Sequence, residues 1–303
     1  MPRALKVGVQ LPEVEFTYTW PQLSALARQV EDAGFDSIWL GDHLMYRQPG
    51  EPAVGPYEAW TTLASLAAIT ERVELGPLVA SLSFHNPAMM AKMAATIDQI
   101  SNGRFIFGIG SGWNEVEYRG YGFPFDHRVD RFAESLNIIR QFFDTGECTF
   151  HGTWFDVEDG ALFPEVMREG GPPLMLGSKG PRMLDIALPH VQMWNAWHAD
   201  YGNDRTRLAA LLAEIDAACE KVRRDPATLE KTICPLITFE RGDIPVNSRR
   251  IPEREICGDD PAALAAEFHA YAELGVGHLQ LVLDPITPAS IEQAAKALKY
   301  LDS

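Results

Sequence analysis

The residues of this chain best suited to chemistry fall into a few short clusters: Asp42-His43, His85-Asn86, Ser111 through Glu117, Gly177-Ser178-Lys179-Gly180, and Trp194 through Trp197. An imidazole titrates near neutrality, so it can give or take a proton, and an adjacent carboxylate can tune it or hold its position. Asp42 and His43 are therefore an acid/base candidate; a structural histidine bonded to a buried carbonyl is the competing reading. Gly177-Ser178-Lys179-Gly180 stands before Pro181, where a strand ends and a helix begins. Backbone amides there, with the positive helix end and Lys179, suit a phosphate, although an ordinary turn with proline in the first helical turn has the same signature. Asn114, Glu115 and Glu117 could bind the edge of a heterocycle or cap the next helical turn. Trp39, Trp113, Trp194 and Trp197 lie on strands or just past them, where core and rim packing is the commoner use of an aromatic.

The segment Gly103–Phe125 concentrates these types. A short apolar strand over 104–109 runs into Gly108, Gly110 and Gly112, and the missing Cβ atoms admit close approach to the backbone. The spacing is GxGxG, and the segment after it is too polar for the helix of a dinucleotide fold, which argues against a GxGxxG fingerprint.

Such clusters need strand ends to carry them, and strand-like and helix-like segments alternate along the whole chain. Strands are expected over 5–11, 37–44, 73–81, 104–109, 173–177, 191–197, 232–239 and 278–283. Helices are expected near 19–33, 57–70, 87–101, 129–143, 181–188, 204–224, 261–274 and 290–301. Thr19 with Gln22 three residues on, and Pro21 between them, reads as a capping-box helix start. Residues 149–158 read as a β excursion and 159–171 as loop. Eight βα units within 303 residues predict an α/β protein, a (β/α)8 barrel, as one domain over 1–303 with an insertion between its fourth helix and fifth strand. A doubly wound sheet is the alternative, but Pro12 through Phe16 replace the phosphate-binding glycine loop that it would carry after the first strand. In a barrel these clusters sit at the carboxyl ends of strands, where barrel enzymes keep their chemistry.

Composition limits the partners. The chain is 46% hydrophobic and 22% charged, with 42 acidic against 26 basic residues and a formal charge of −16. That surface repels phosphate backbones and anionic lipid heads, which argues against nucleic acid and membrane as partners. With no apolar run long enough to span a bilayer and no signal-peptide apolar region after Met1, a cytoplasmic location is expected. Cys148, Cys219, Cys234 and Cys257 lack zinc spacing, and the eight histidines form no HxH or HxxxH pair, so no metal is expected.

Four segments resemble the bacterial-luciferase-like superfamily of flavin-dependent monooxygenases and deazaflavin (coenzyme F420) oxidoreductases. They are AGFDSIWLGDHL (33–44), LGPLVASLSFHNPAMMAKMAATIDQISNGRF (75–105), GIGSGWNEVEYRGYGFPF (108–125) and PPLMLGSKGPRMLDIA (172–187). The resemblance implies a (β/α)8 barrel, usually dimeric, with an isoalloxazine or deazaflavin ring across its carboxyl face. By motif, His43 with Asp42 matches the pair near the ring, the histidine acting on substrate. Leu78-Val79 falls where deazaflavin members have a non-proline cis peptide bulging toward the ring. Gly177, Ser178 and Gly180 match the loop whose amides take the cofactor phosphate, and Ser111 and Asn114 match positions lining the cofactor. The chain departs from the sugar-phosphate dehydrogenases of this family: Trp113 follows Gly112 where they carry a catalytic glutamate, and Arg47 stands near the place of their tryptophan. That argues against sugar-phosphate dehydrogenation.

Three functions follow as expectations. The first is coenzyme F420-dependent hydride transfer to or from a small organic substrate, with His43 supplying the proton. The second is an FMN-dependent monooxygenase that uses O2 and reduced flavin from a partner reductase, which needs a pocket shielded from water. The third, a flavin-binding barrel without catalysis, is disfavoured by the polar residues Asp42, His43, Asn114 and Glu115. A metallohydrolase barrel is excluded by the first strand, which ends Val9-Gln10-Leu11 without a ligand pair. The loops over 46–56 and 240–257 are expected to border the pocket, with Arg47 and Arg249 as groups that a substrate anion could meet.

Overall fold

Helix starts are written into the sequence as caps and prolines, and they divide the chain where the alternation requires. The computed structural model describes residues 3–15, 17–48, 50–242 and 253–302. Its strands are β1 (Lys6–Gln10), β2 (Ser37–Leu40), β3 (Glu74–Pro77), β4 (Ala80–Ser81), β5 (Phe107–Gly110), β6 (Glu147–His151), β7 (Asp156–Ala161), β8 (Leu174–Leu176), β9 (Met193–Trp197), β10 (Glu230–Cys234), β11 (Leu236–Thr238) and β12 (Val276–Asp284). Its helices are α1 (Trp20–Asp32), α2 (Ala59–Ile69), α3 (Pro87–Ile100), α4 (Glu115–Tyr121), α5 (Arg128–Thr145), α6 (Pro181–Ala187), α7 (His198–Tyr201), α8 (Arg205–Lys221), α9 (Pro261–Glu273) and α10 (Pro288–Leu301). At the start of α1 the Thr19 amide donates to Gln22 Oε1 at 2.9 Å. Asn86, Asp204 and Asp260 likewise accept first-turn amides of α3, α8 and α9, which satisfies donors that a helix leaves unpaired.

The described residues cluster into two compact units. In the first, over 3–39, 72–74 and 193–302, parallel strands run in the order β2-β1-β12-β10-β9. A Cβ on Gly8 would sit 1.9 Å from Ser37 Oγ, so only glycine lets β1 and β2 approach here. Val7, Val9, Ile233, Leu279 and Leu281 are buried along these strands. Polar side chains are buried among them and answer one another: Asn195 Nδ2 donates to Thr232 Oγ1 and Gln280 Oε1, each at 2.9 Å. Ser37 Oγ bonds His278 Nε2 at 2.7 Å and accepts from Trp39 Nε1 at the same distance. Complete burial pushes the His278 imidazole down to about 3, with Lys6 adding to the effect.

The second unit, over 40–71 and 75–192, holds the parallel strands β4-β5-β8, with Ala80 opposite Ile109 and Phe107 opposite Leu174. Arg104 reaches the carbonyls of Ala67 and Thr70 at the end of α2, and Arg168 joins buried Asp98 to the Phe105 carbonyl. The expected excursion is the antiparallel hairpin β6–β7, inserted between α5 and β8. It is tied to α5 by Glu134, whose carboxylate accepts the amides of Thr153, Trp154 and Phe155.

Four elements differ from expectation. The strand expected over 73–81 is two strands, β3 and β4, separated by a cis Leu78–Val79 peptide bond. The strand expected over 232–239 is β10 and β11, divided at Pro235, which has no amide to donate. Short helices α4 and α7 follow β5 and β9 where loop was expected. Part of the 240–257 loop, including Arg249, lies outside the described residues.

The burial of His278 has a measurable sign. Its folded value lies far below the ordinary 6.5, so between these values the unfolded chain binds more protons and stability is lost as pH falls through that window. Urea unfolding at pH 5 and pH 7 should show a smaller acid loss for His278→Gln than for the parent, by up to about 1.4 kcal/mol per pH unit. Equal slopes would remove His278 as the source.

Candidate active site

All the strand-end residues that converge here belong to the second unit. β2 ends at Leu40, and the chain continues through Gly41 to Asp42 and His43. Successive residues of an extended chain point to opposite sides, so neighbours in sequence need not share an environment. Asp42 is buried, 4% exposed, and its Oδ2 accepts the Ser81 amide at 2.9 Å. Burial pushes its carboxyl up to about 7; the Ser81 amide works against the rise and Glu58 adds to it.

His43 meets a different carboxylate. Its Nδ1 lies 2.9 Å from Oε1 of Glu117, a residue of α4 whose side chain is 1% exposed. Glu117 Oε2 also accepts the Leu44 amide. Burial works to raise this carboxyl, but the hydrogen bond and charge of His43, together with the Leu44 amide, outweigh it and hold Glu117 below its usual range. An ionised carboxylate only accepts, so Nδ1 carries the donated hydrogen and Nε2 becomes the atom for proton exchange. The adjacent Asp42, expected to hold the imidazole, is replaced in that role by Glu117. Tyr46 and Trp113 flank the ring at centroid distances of 4.7 and 5.6 Å, and Trp113 is 67% exposed.

The glycines prove to serve the protein's own packing. Cβ atoms on Gly108, Gly110 and Gly177 would lie 2.9, 2.9 and 2.7 Å from the methyls of Val79. They make room for the partly exposed Leu78–Val79 segment, whose cis bond the resemblance implied. Gly112 has φ +73°, and a Cβ there would fall 2.1 Å from Tyr118 Oη. Tyr118 in turn donates to the Ser111 carbonyl at 2.7 Å and bonds Ser81 Oγ at 3.0 Å. Asp42, Ser81, Tyr118 and Ser111 thus form one chain of contacts under the strand ends.

The remaining expected residues separate. Asn114 Nδ2 donates to the Met45 carbonyl at 3.2 Å, bracing the loop that carries His43. The Gly177 amide is engaged by the Ile109 carbonyl at 3.0 Å, as a strand partner, and the Gly180 amide meets Ser178 Oγ at 3.3 Å. Ser178 is partly buried and Lys179 exposed at this turn. Glu117, Ser81 and Tyr118 are the residues that sequence reasoning underused. Glu115 and Glu117 were equivalent as carboxylates two apart, and the periodicity of so short a helix as α4 did not show which one points inward.

At Leu78–Val79 the chain presents a partly exposed apolar segment with glycines behind it, and His43, held by a carboxylate, follows the end of β2. Parallel βα units with polar residues gathered at strand ends are the architecture of a barrel enzyme. The chain belongs to the luciferase-like monooxygenase family, whose model matches residues 7–243. It is 27% identical over 312 aligned positions, 91% of each chain, to an F420-dependent glucose-6-phosphate dehydrogenase of Amycolatopsis mediterranei (strain U-32). It is 39% identical over 180 positions to the pyrimidine monooxygenase RutA of Pantoea ananatis (strain LMG 20103), a match covering 55% of this chain and 47% of that one. The chain therefore spans about half the length of that relative. An F420-dependent secondary alcohol dehydrogenase, solved with an F420-acetone adduct, superposes with a TM-score of 0.81 at 19% identity, covering 98% of this chain and 99% of its own. This likeness shows the luciferase-like (β/α)8 barrel fold expected from the sequence.

The packing around Gly112 and Gly180 gives a paired test. Gly112→Ala combines a left-handed φ with a Cβ overlapping Tyr118, and should cost about 2–4 kcal/mol in urea unfolding. At Gly180, with φ −63° and its nearest atom 3.7 Å away, alanine should change stability by about 0.5 kcal/mol or less. Similar costs at both sites would contradict the packing described.

Proposed function

We propose that this protein is a coenzyme F420-dependent oxidoreductase that moves a hydride to or from a small neutral organic substrate, working as a cytoplasmic homodimer. The observation that carries this reading is the His43–Glu117 pair beside the Leu78–Val79 surface. When bound, the deazaflavin supplies a hydride donor or acceptor that reacts poorly with oxygen. Leu78 and Val79 would support its ring, and Ser111, Asn114 and the Gly177–Gly180 turn with Ser178 and Lys179 would border it. His43 would take the proton of a substrate hydroxyl at Nε2, or give one to a substrate carbonyl oxygen in the reverse direction, while Glu117 stabilises the protonated imidazole and fixes its orientation. Asp42 positions the Ser81 amide and does not touch the imidazole Nδ1.

Glu117, Tyr46 and Trp113 pack on His43. An acid/base imidazole flanked by aromatic rings suits the reacting carbon of an alcohol, carbonyl or activated alkene. The glucose-6-phosphate dehydrogenase relative therefore supports the cofactor class, and Trp113 argues against transferring its substrate. A second reading, FMN-dependent oxygenation with reduced flavin from a partner reductase, is supported by the 39% identity to the pyrimidine monooxygenase.

Fluorescence titration of the protein with F420, and with oxidised and reduced FMN, separates the two readings: preference for F420 supports the first, and preference for reduced FMN the second. His43→Ala should lower turnover by about 10²–10⁴-fold, with cofactor affinity held within a few-fold. Glu117→Gln should lower turnover by roughly tenfold or more through loss of imidazole orientation. Unchanged turnover in His43→Ala would sink the assignment.

A further inference from the structure

Behind Asp42 lies a group of side chains that the proposed reaction does not use. Asp42, Glu58 at the start of α2 and His85 before α3 each bring one potential ligand atom within 4.8 Å of the other two. Asp42 Oδ1 is fully buried and has no hydrogen-bond partner, and the same holds for His85 Nε2. Trp60 Nε1, on the first turn of α2, is a third buried polar atom without a partner, and its ring lies 6.1 Å from that of His85. Unanswered buried polar atoms are costly. Two of them, Asp42 Oδ1 and His85 Nε2, can each offer a lone pair beside the Glu58 carboxylate, and together mark a place for something that accepts electron pairs.

We propose that Asp42, Glu58 and His85 form a binding site for one divalent transition-metal cation. Two carboxylate oxygens and an imidazole nitrogen are a mixed donor set that suits zinc or manganese better than magnesium. Bonds of about 2.0–2.2 Å set tetrahedral ligand atoms about 3.4 Å apart, so the cluster tightens onto the ion through small side-chain rotations. Glu58 keeps its capping bonds to the amides of Trp60 and Thr61, 2.8 Å each, because a carboxylate oxygen has lone pairs for both. The ion would neutralise buried Asp42 and partly buried Glu58 and fix Asp42, whose other oxygen holds the Ser81 amide. Its role is thus to stiffen the strand ends without entering the reaction. The ligands come from three segments, so no short spacing in the sequence could announce them.

The test uses full-length protein, stripped with a chelator and titrated calorimetrically with Zn2+, Mn2+ or Mg2+ as the metal alone. The expected result is one equivalent of Zn2+, bound more tightly than Mg2+ and at least about tenfold more weakly in both His85→Gln and Glu58→Gln. Circular dichroism identifies a variant that fails to fold, in which case the other decides. No zinc binding by the parent, or binding unchanged in a folded variant, would overturn the proposal. So would binding abolished by His151→Gln, because His151, Asp156 and Glu158 form an exposed cluster on the β6–β7 hairpin that could trap zinc instead.

Discussion

A single buried carboxylate holds the candidate site together. Glu117 is enclosed almost completely, yet it stays below the usual carboxylate range because His43 and the Leu44 amide both bond to it. Removing a charge from water is costly, and only partners with good geometry offset that cost. The same bonds therefore stabilise α4, fix the path of residues 43–45 and choose which imidazole nitrogen carries the hydrogen. Local folding and proton chemistry rest on one interaction, so a change at Glu117 cannot touch one without the other.

Around that pair the backbone is shaped by the absence of side chains. Gly108, Gly110 and Gly177 come from two neighbouring strands, and all three yield space to Val79. A larger residue at any of them would push the Leu78–Val79 segment away from the strand ends. Asp42 holds the other side of this segment through the Ser81 amide, and Tyr118 clamps Ser81 to the Ser111 carbonyl. The glycine spacing that suggests room for a ligand is room for the protein's own apolar bulge at Leu78–Val79.

Much of the fold was legible because its signals are local. The Thr19–Gln22 box, the helix-starting prolines and the alternation of apolar segments each act within a few residues. The hairpin at 147–161 was visible for the same reason. What escaped depends on distance. The partner of His43 is 74 positions away, and the adjacent Asp42 was the natural guess because sequence shows neighbours and hides facing. The split of the 73–81 strand is set by a backbone conformation that composition does not encode, while the split at Pro235 follows from a missing donor that could have been weighed. The expectation of a phosphate loop rests on four residues that look like many turns, and there the Gly177 amide is bonded to the Ile109 carbonyl.

Shared folds leave the reaction open, because one luciferase-like barrel carries both hydride transfer and oxygen chemistry. The decision then falls to what surrounds the imidazole. His43 is packed against Glu117 and the rings of Tyr46 and Trp113. An anionic group held directly against Glu117 would meet repulsion at short range in a partly buried setting, where screening by water is weak, so the charge of an anionic substrate would have to lie away from the imidazole. Trp113 and Tyr46 offer faces that accept apolar or planar groups. Trp113 stands beside the imidazole as a flat, largely exposed ring, so shape and not charge is what this side of the imidazole can read, and identity to a sugar-phosphate enzyme informs the cofactor and not the substrate.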